Sequence, residues 1–286
     1  MNVLQLLVNG IMAGSILAIP AIGLSAMYAV LRFPNFAIAS HATVGAFAGW
    51  VANTAFGLPV LPSLAVALLA GGVVGLLTDE FVLKPFRSAG FITTAIGSLA
   101  LTIGLENLVR LFFGSDLRGY DLPLARDLVF WGIHVGPQQL QNIAVSVVVM
   151  GLVFGFLSFT RMGKAMRAVA DNPQLADIKG INAKTVARMV SFMGMGLAGL
   201  GGMLIGLDSS IDPLTGFRAM LPIFAAAVVG GLGSIPGAVA GAMVVGIAEE
   251  LSLLALPASY KSSIAFLAII VILTIRPQGI LGREAA

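Results

Sequence analysis

The stretch VLQLLVNGIMAGSILAIPAIGLSAMYAVL, residues 3–31, contains no charged side chain. A bilayer crossing takes about 20 mainly apolar residues, and this run exceeds that. Phe33–Thr78 is also free of charge and long enough for two crossings. Leu128–Thr160 holds His134 as its one titratable group, and Ala219–Ala248 holds none. Lipid offers no partner to backbone N–H and C=O, so such segments cross as helices. A transmembrane barrel would show alternating segments of about ten residues. These runs are continuous instead.

Composition agrees. Over 286 residues the chain is 58% hydrophobic and 10% charged, against about 25% charged in soluble domains. The apolar start lacks a basic leader and a small-residue cleavage site, and reads as a retained first crossing. The absence of cysteine removes disulfides, thiolate metal sites and cysteine nucleophiles. The net charge of +3 is mild and implies no nucleic-acid partner. Only His41 and His134 supply imidazole. With no H-E-x-x-H and no G-x-S-x-G, neither catalytic nor metal-binding residues are expected.

The expected class is all-α, a polytopic helical membrane protein of about 8–10 transmembrane helices, with residues 1–286 as one membrane domain. The crossings fall at Val3–Leu31, Phe36–Phe56, Val60–Leu83, Phe91–Phe113, Leu140–Phe159, Val186–Leu207, Ala219–Gly230, Gly237–Leu256 and Ser262–Ile275. Ala219–Gly230 is short enough to be a broken or re-entrant element. Polar stretches at Gly114–Gln139, Thr160–Thr185 and Asp208–Arg218 separate them. Basic residues favour the cytoplasmic side of a membrane protein. Arg32, Lys84, Arg87, Arg161, Lys164, Arg167, Lys179, Lys184, Arg188, Arg276 and Arg283 all fall on one side. Arg110, Arg118, Arg126, Arg218 and Lys261 fall on the other, diluted by Asp116, Asp121, Asp127, Asp208 and Asp212. The N-terminus is therefore expected outside and the C-terminus in the cytoplasm. Glycines crowd the spans, as at Gly194, Gly196, Gly199, Gly201, Gly202 and Gly206. In lipid they let helix backbones approach closely, either for static packing or for sliding.

The cytoplasmic stretch TRMGKAMRAVADNPQLADIKGINAKT, residues 160–185, is the most informative. Asn172 can cap a new helix through its side-chain oxygen. Pro173 suits the first helical position, and Gly180 suits a left-handed closing residue. Leu175 and Ile178 lie at i,i+3 and share a face. Such a short helix is unstable alone and gains order by docking into a groove. A basic loop lying on lipid head groups is the bland alternative, and the separate caps at both ends favour docking.

This loop resembles the coupling segment of the branched-chain amino acid permease family of ABC importers, and that of the related ribose-type sugar permeases. The matching positions are Thr160, Gly163, Lys164, Ala165, Arg167, Ala168, Ala170, Asn172, Ala176, Gly180 and Ile181. Phe224–Gly241 resembles the family's glycine-rich late segment, and Arg276–Gly282 its C-terminal ending. Asn35-Phe36-Ala37 with Gly45-Ala46-Phe47 is a fourth match. Ile38 and Ala39 stand where the family usually has His-Gly. The resemblance implies an ATPase-coupling surface on these loop residues, joined by Arg161, Asp171, Leu175 and Ile178. It implies a second homologous permease, two cytoplasmic ATPase subunits carrying ATP and Mg, a periplasmic substrate-binding protein, and the bacterial inner membrane. No G-x-x-x-x-G-K-[ST] phosphate loop occurs, so no ATP cofactor is expected on this chain. Branched-chain amino acids or related small polar or carboxylate solutes are the implied substrates, with urea, amides or sugars as alternatives.

Interrupted apolar segments in the two halves of a transporter point to the substrate route. Two fit: Phe33–Gly49, with Asn35, Ser40 and His41, and Leu221–Gly241, with Phe224 and Ser234. Their polar groups either line a path or brace a helix break. Ionisable groups inside the membrane are costly and often functional. Glu106 is the clearest, as an ion pair with Arg110 one turn later or as part of the path wall. Glu249 and Glu250 are expected near the outer surface as solvated residues. An ion-driven secondary transporter is the main rival, disfavoured by the near absence of other intramembrane carboxylates.

Overall fold

The computed structural model describes residues 3–122, 128–130 and 133–282. Arg126, Asp127 and Arg283 from the charge count lie outside these. Every expected crossing is a helix. The order is α1 (Val3–Leu31), α2 (Ile38–Thr54), α3 (Val60–Thr78), the single turn α4 (Lys84–Phe86), α5 (Phe91–Phe113) and α6 (Pro137–Phe159). The short α7 (Arg161–Asp171) and α8 (Pro173–Ile178) follow, then α9 (Ala183–Asp208), α10 (Thr215–Gly230), α11 (Ile235–Ser252) and α12 (Lys261–Ile275). Six helical stretches are long and apolar enough to cross a membrane: Val3–Leu31, Val60–Ala89, Phe91–Phe113, Pro137–Phe159, Ala183–Asp208 and Ile235–Ser252. The other three expected crossings are shorter, at 17 residues for α2, 16 for α10 and 15 for α12. At about 1.5 Å per residue, they reach only part of the way across the hydrocarbon. Two findings were not expected from the sequence. α3 continues through a π-helical turn, Asp79–Leu83. The polar stretch between α5 and α6 carries a small antiparallel hairpin, β1 (Leu128–Phe130) and β2 (Ile133–Val135).

Burial sorts the helices into a core and a shell. Within α9 and α1, 83% and 72% of the most apolar window is buried, against 22–33% for α6, α5 and the α3 span. α9 packs against α1, α2 and α3, while α1 also packs against α10 and α11. The shell helices turn large apolar side chains outward, as at Leu69, Ile96, Ile103, Leu152 and Ile270. That pattern suits a surface facing lipid or another membrane subunit. In the core, backbone meets backbone. A Cβ built on Gly45 of α2 would strike the main chain of Gly199 in α9. Without a hydrophobic drive between helices in lipid, such close approach and its dispersion contacts hold the seam.

The C-terminal tail closes α10. Ile280 N–H donates to Val229 C=O at 2.8 Å, and Leu281 N–H to Gly230 C=O at 3.0 Å. These are two of the carbonyls that a helix end leaves unpaired. Ser234 then starts α11, its Oγ accepting from Gly237 N–H at 3.2 Å.

The seam makes a testable contrast. Gly45→Leu should cost about 1–3 kcal/mol or more, read as loss of the monodisperse peak and a lowered melting temperature in detergent. Gly104→Ala, where nothing lies within 4 Å of the added carbon, should leave both unchanged.

Candidate functional site

The segment expected to couple is built from two capped helices. Thr160 Oγ1 accepts from Gly163 N–H at 3.0 Å and starts α7. Gly163, Met166 and Val169 of α7 face the bundle, leaving Arg161, Lys164, Arg167 and Asp171 exposed. Asn172 Oδ1 accepts from Leu175 N–H at 3.0 Å, with Pro173 in the first turn of α8. Gly180 closes the segment at φ 82°, a left-handed conformation that glycine adopts without strain. Ile181 N–H returns to Ala176 C=O at 3.0 Å. Ala176 is buried and Ala168 and Ile181 are half-buried. Leu175 is 54% exposed and Ile178 81% exposed. The result is a knob with an apolar tip standing on a basic base.

Sequence reading missed how this knob is fastened. Asn182 Oδ1 accepts from Lys184 N–H and Thr185 N–H at 3.0 and 3.2 Å, so α9 begins inside the loop rather than at Val186. Its signal was an asparagine ahead of an apolar run. Arg188, one turn further, grips Glu80 with two bonds, Nε to Oε2 at 3.0 Å and Nη2 to Oε1 at 2.9 Å. Glu80 also pairs with Lys84, and the buried Asp79 pairs with Arg87. The Arg87 guanidinium lies 5.7 Å from the ring centre of Phe33. Arg32, at φ 59°, donates to Ala170 C=O at the end of α7. Arg32, Lys84, Arg87 and Arg188 counted in the sequence only as topogenic charge. Together they tie the coupling segment to the ends of α1 and α3.

Of the residues expected on a path, Asn35, Ser40 and His41 lie at the break before α2. Asn35 Oδ1 accepts from Ala37 N–H at 3.0 Å, and Ser40 Oγ donates to Ala37 C=O at 2.9 Å. His41 is fully buried, with Nδ1 2.6 Å from Ala37 O and Nε2 3.0 Å from Thr78 Oγ1. Phe36 is held on both sides. Its N–H donates to Ser98 Oγ at 3.0 Å, and its C=O accepts from Thr102 Oγ1 at 3.1 Å, both on α5. Its ring stacks on Phe224 of α10, centroids 4.7 Å apart and 16° from parallel. Glu106, one turn along α5 from Thr102, is 6% exposed, and its Oε1 has no hydrogen-bond partner. Among the described residues no ion pair joins it to Arg110, which is exposed. Ser234 stands apart as the cap of α11. At the end of α11 the structure corrects one expectation. Glu249 and Glu250 are buried rather than solvated, and Glu250 pairs with Lys261. Lys261 opens α12 beside the end of α11, which supplies the counter-charge that makes this burial tolerable. Among the described residues no group of three or more His, Cys, Asp or Glu is placed to hold a metal ion.

Residues 6–273 match the family model described as branched-chain amino acid transport system, permease component. The chain belongs to this family. It is 31% identical to the high-affinity branched-chain amino acid transport system permease protein BraD of Pseudomonas aeruginosa, over 98% of this chain and 96% of that one. It is 32% identical to LivH of Escherichia coli K12, a permease of the same description, over the same shares. The galactose/methyl galactoside import permease MglC of E. coli K12 is 26% identical over 65% of this chain. Among solved structures, PsaBC from Streptococcus pneumoniae in complex with Fab superposes with a TM-score of 0.50 at 15% identity, covering 97% of this chain and 93% of that one. That likeness concerns fold alone. This family member is a multi-pass helical membrane permease, and its family match spans the break before α2, the coupling segment and α11.

The ion pairs rank by burial. Arg87→Leu leaves Asp79 buried without its cation and should cost about 3–5 kcal/mol. Lys84→Ala removes a pair open to solvent and should cost under about 1 kcal/mol. Thermal unfolding of the detergent-solubilised variants measures both.

Proposed function

We propose that this chain is the membrane-spanning permease subunit of an ATP-driven importer for branched-chain amino acids. The capped knob of α7 and α8 carries the reading. An apolar tip of Leu175 and Ile178, exposed at the end of a basic segment, fits a groove on a soluble partner. In this reading the partner is one of two cytoplasmic ATPase subunits, which hold the ATP and Mg. A second homologous permease completes the path, and a periplasmic binding protein delivers substrate at the outer face. The chain sits in the bacterial inner membrane with α7 and α8 in the cytoplasm, the N-terminus outside and the C-terminus inside. Arg161, Gly163, Lys164, Arg167, Ala168, Asp171, Asn172, Ala176, Gly180 and Ile181 shape or flank the coupling surface. The break before α2 and the middle of α10 line the path through Asn35, Ser40, His41 and Phe224, with Glu106 on α5 and Ser234 at the cap of α11. The substrate follows from the nearly full-length relatives. The sugar permeases match over a shorter part of the chain and at lower identity.

Because interface anchors cost more than about 1 kcal/mol each when lost, Leu175→Glu combined with Ile178→Glu should abolish copurification of the ATPase subunits. Uptake into vesicles supplied with ATP but no ion gradient should fall by at least about tenfold. Arg167→Glu should lower uptake while the chain stays folded. Unchanged uptake and unchanged ATPase binding in both variants would remove the assignment.

A further inference from the structure

A charged cleft lies beside the α7–α8 segment, and we propose that it binds a phosphate-bearing anion, the headgroup of an acidic phospholipid whose acyl chains lie along α3. The site does not depend on which solute the chain carries.

The cleft has a volume of about 280 Å³. It is enclosed by the end of α1, the π-helical turn after α3, α7, the first residue of α8 and the first turns of α9. Its charged lining is unequal, with Lys84, Arg87, Lys184 and Arg188 set against Asp79 and Glu80. Four cations and two carboxylates leave it positive. Both carboxylates are committed, Asp79 to Arg87 and Glu80 to Lys84 and Arg188. Lys184 is exposed and enters no salt bridge among the described residues. Arg87 has not spent its whole fork. Its Nη2 bonds Asp79, while Nε is buried without a partner. A buried donor left unpaired is costly. A guanidinium presents its donors in one plane and suits the paired oxygens of a phosphate. The surplus of positive charge makes an anion the fitting acceptor.

The exposed surface of α3 favours a lipid as the source of that anion. Leu69, Val73, Leu77 and Phe81 follow at four-residue steps, and all are exposed. Residues four apart share a helix face. This apolar stripe runs into the π-helical turn, where Phe81 directly follows the cleft-lining Glu80. Phe86, also exposed, directly precedes Arg87. The stripe thus ends where the positive cleft begins. Acyl chains on the stripe and a phosphate in the cleft would satisfy both, and basic pockets between membrane helices hold acidic headgroups in this way. A free phosphate ion would use the cleft and leave the stripe unused.

The test uses the full-length chain, delipidated in an uncharged detergent and melted with phosphatidylglycerol, phosphatidylcholine or inorganic phosphate. Phosphatidylglycerol should raise the melting temperature at a half-maximal concentration at least about tenfold below that of phosphatidylcholine. Lys184→Glu should raise that concentration by at least about tenfold, and Lys184→Gln by less. Arg276→Glu makes the same charge change at an exposed residue outside the cleft and should leave it unaltered. Stabilisation by inorganic phosphate at least equal to that by phosphatidylglycerol, and lost in Lys184→Glu, would keep the anion site and overturn the lipid as its occupant. Equal responses to the two lipids, with none to phosphate, would overturn the site. So would equal losses in Lys184→Glu and Arg276→Glu, because general attraction between charges would then suffice.

Discussion

A peptide group in hydrocarbon has no water to turn to, and this constraint organises the molecule. It makes every crossing a helix, and it makes every interruption conspicuous, because freed N–H and C=O groups must be met by something else. At the break before α2 the chain meets them with side chains: Asn35 for Ala37, Ser98 and Thr102 for Phe36. The donors and acceptors belong to different helices. Stitching the break therefore also fixes α2 against α5. The same stitching holds the Phe36 ring where it stacks on Phe224 of α10. Local backbone satisfaction and the placing of the Phe36–Phe224 stack are one set of bonds.

The end of the bundle that carries α7 and α8 follows a different logic, since its charges meet one another. Glu80 and Asp79 sit on a π-helical turn, an irregularity often found where helices must flex. Arg188 on α9 and Arg87 beyond α4 reach back to them. α9 is the central helix of the bundle and also the one that leaves the coupling segment. α8 is thus followed directly by the most buried element, which touches α1, α2 and α3 alike.

Elements governed by local chemistry were legible in the sequence. The bounds of α1 and α5 coincide with apolar runs of the sequence, and the caps at Asn172 and Gly180 are where their residue types place them. Elements governed by distant partners were not. Nothing near Glu250 in the chain announces that Lys261 will neutralise it. Nothing in Asp79-Glu80 points to Arg188. The start of α2 was placed two residues early because the break at Phe36 is stabilised by α5 rather than by its own neighbours. The hairpin of β1 and β2 hid inside a stretch that lacks a strong alternating pattern. At the path the residue types were visible, but which of them keep an unused hydrogen-bonding atom depends on the packed bundle.

The tail that finishes α10 carries a lesson about biogenesis. Val229 and Gly230 expose their carbonyls as soon as α10 leaves the ribosome, yet Ile280 and Leu281, which cover them, emerge only after α11 and α12 have been made. During that interval the end of α10 must borrow water or insertion machinery for cover. The end of α10 therefore reaches its final packing only after the two helices that follow it have been made.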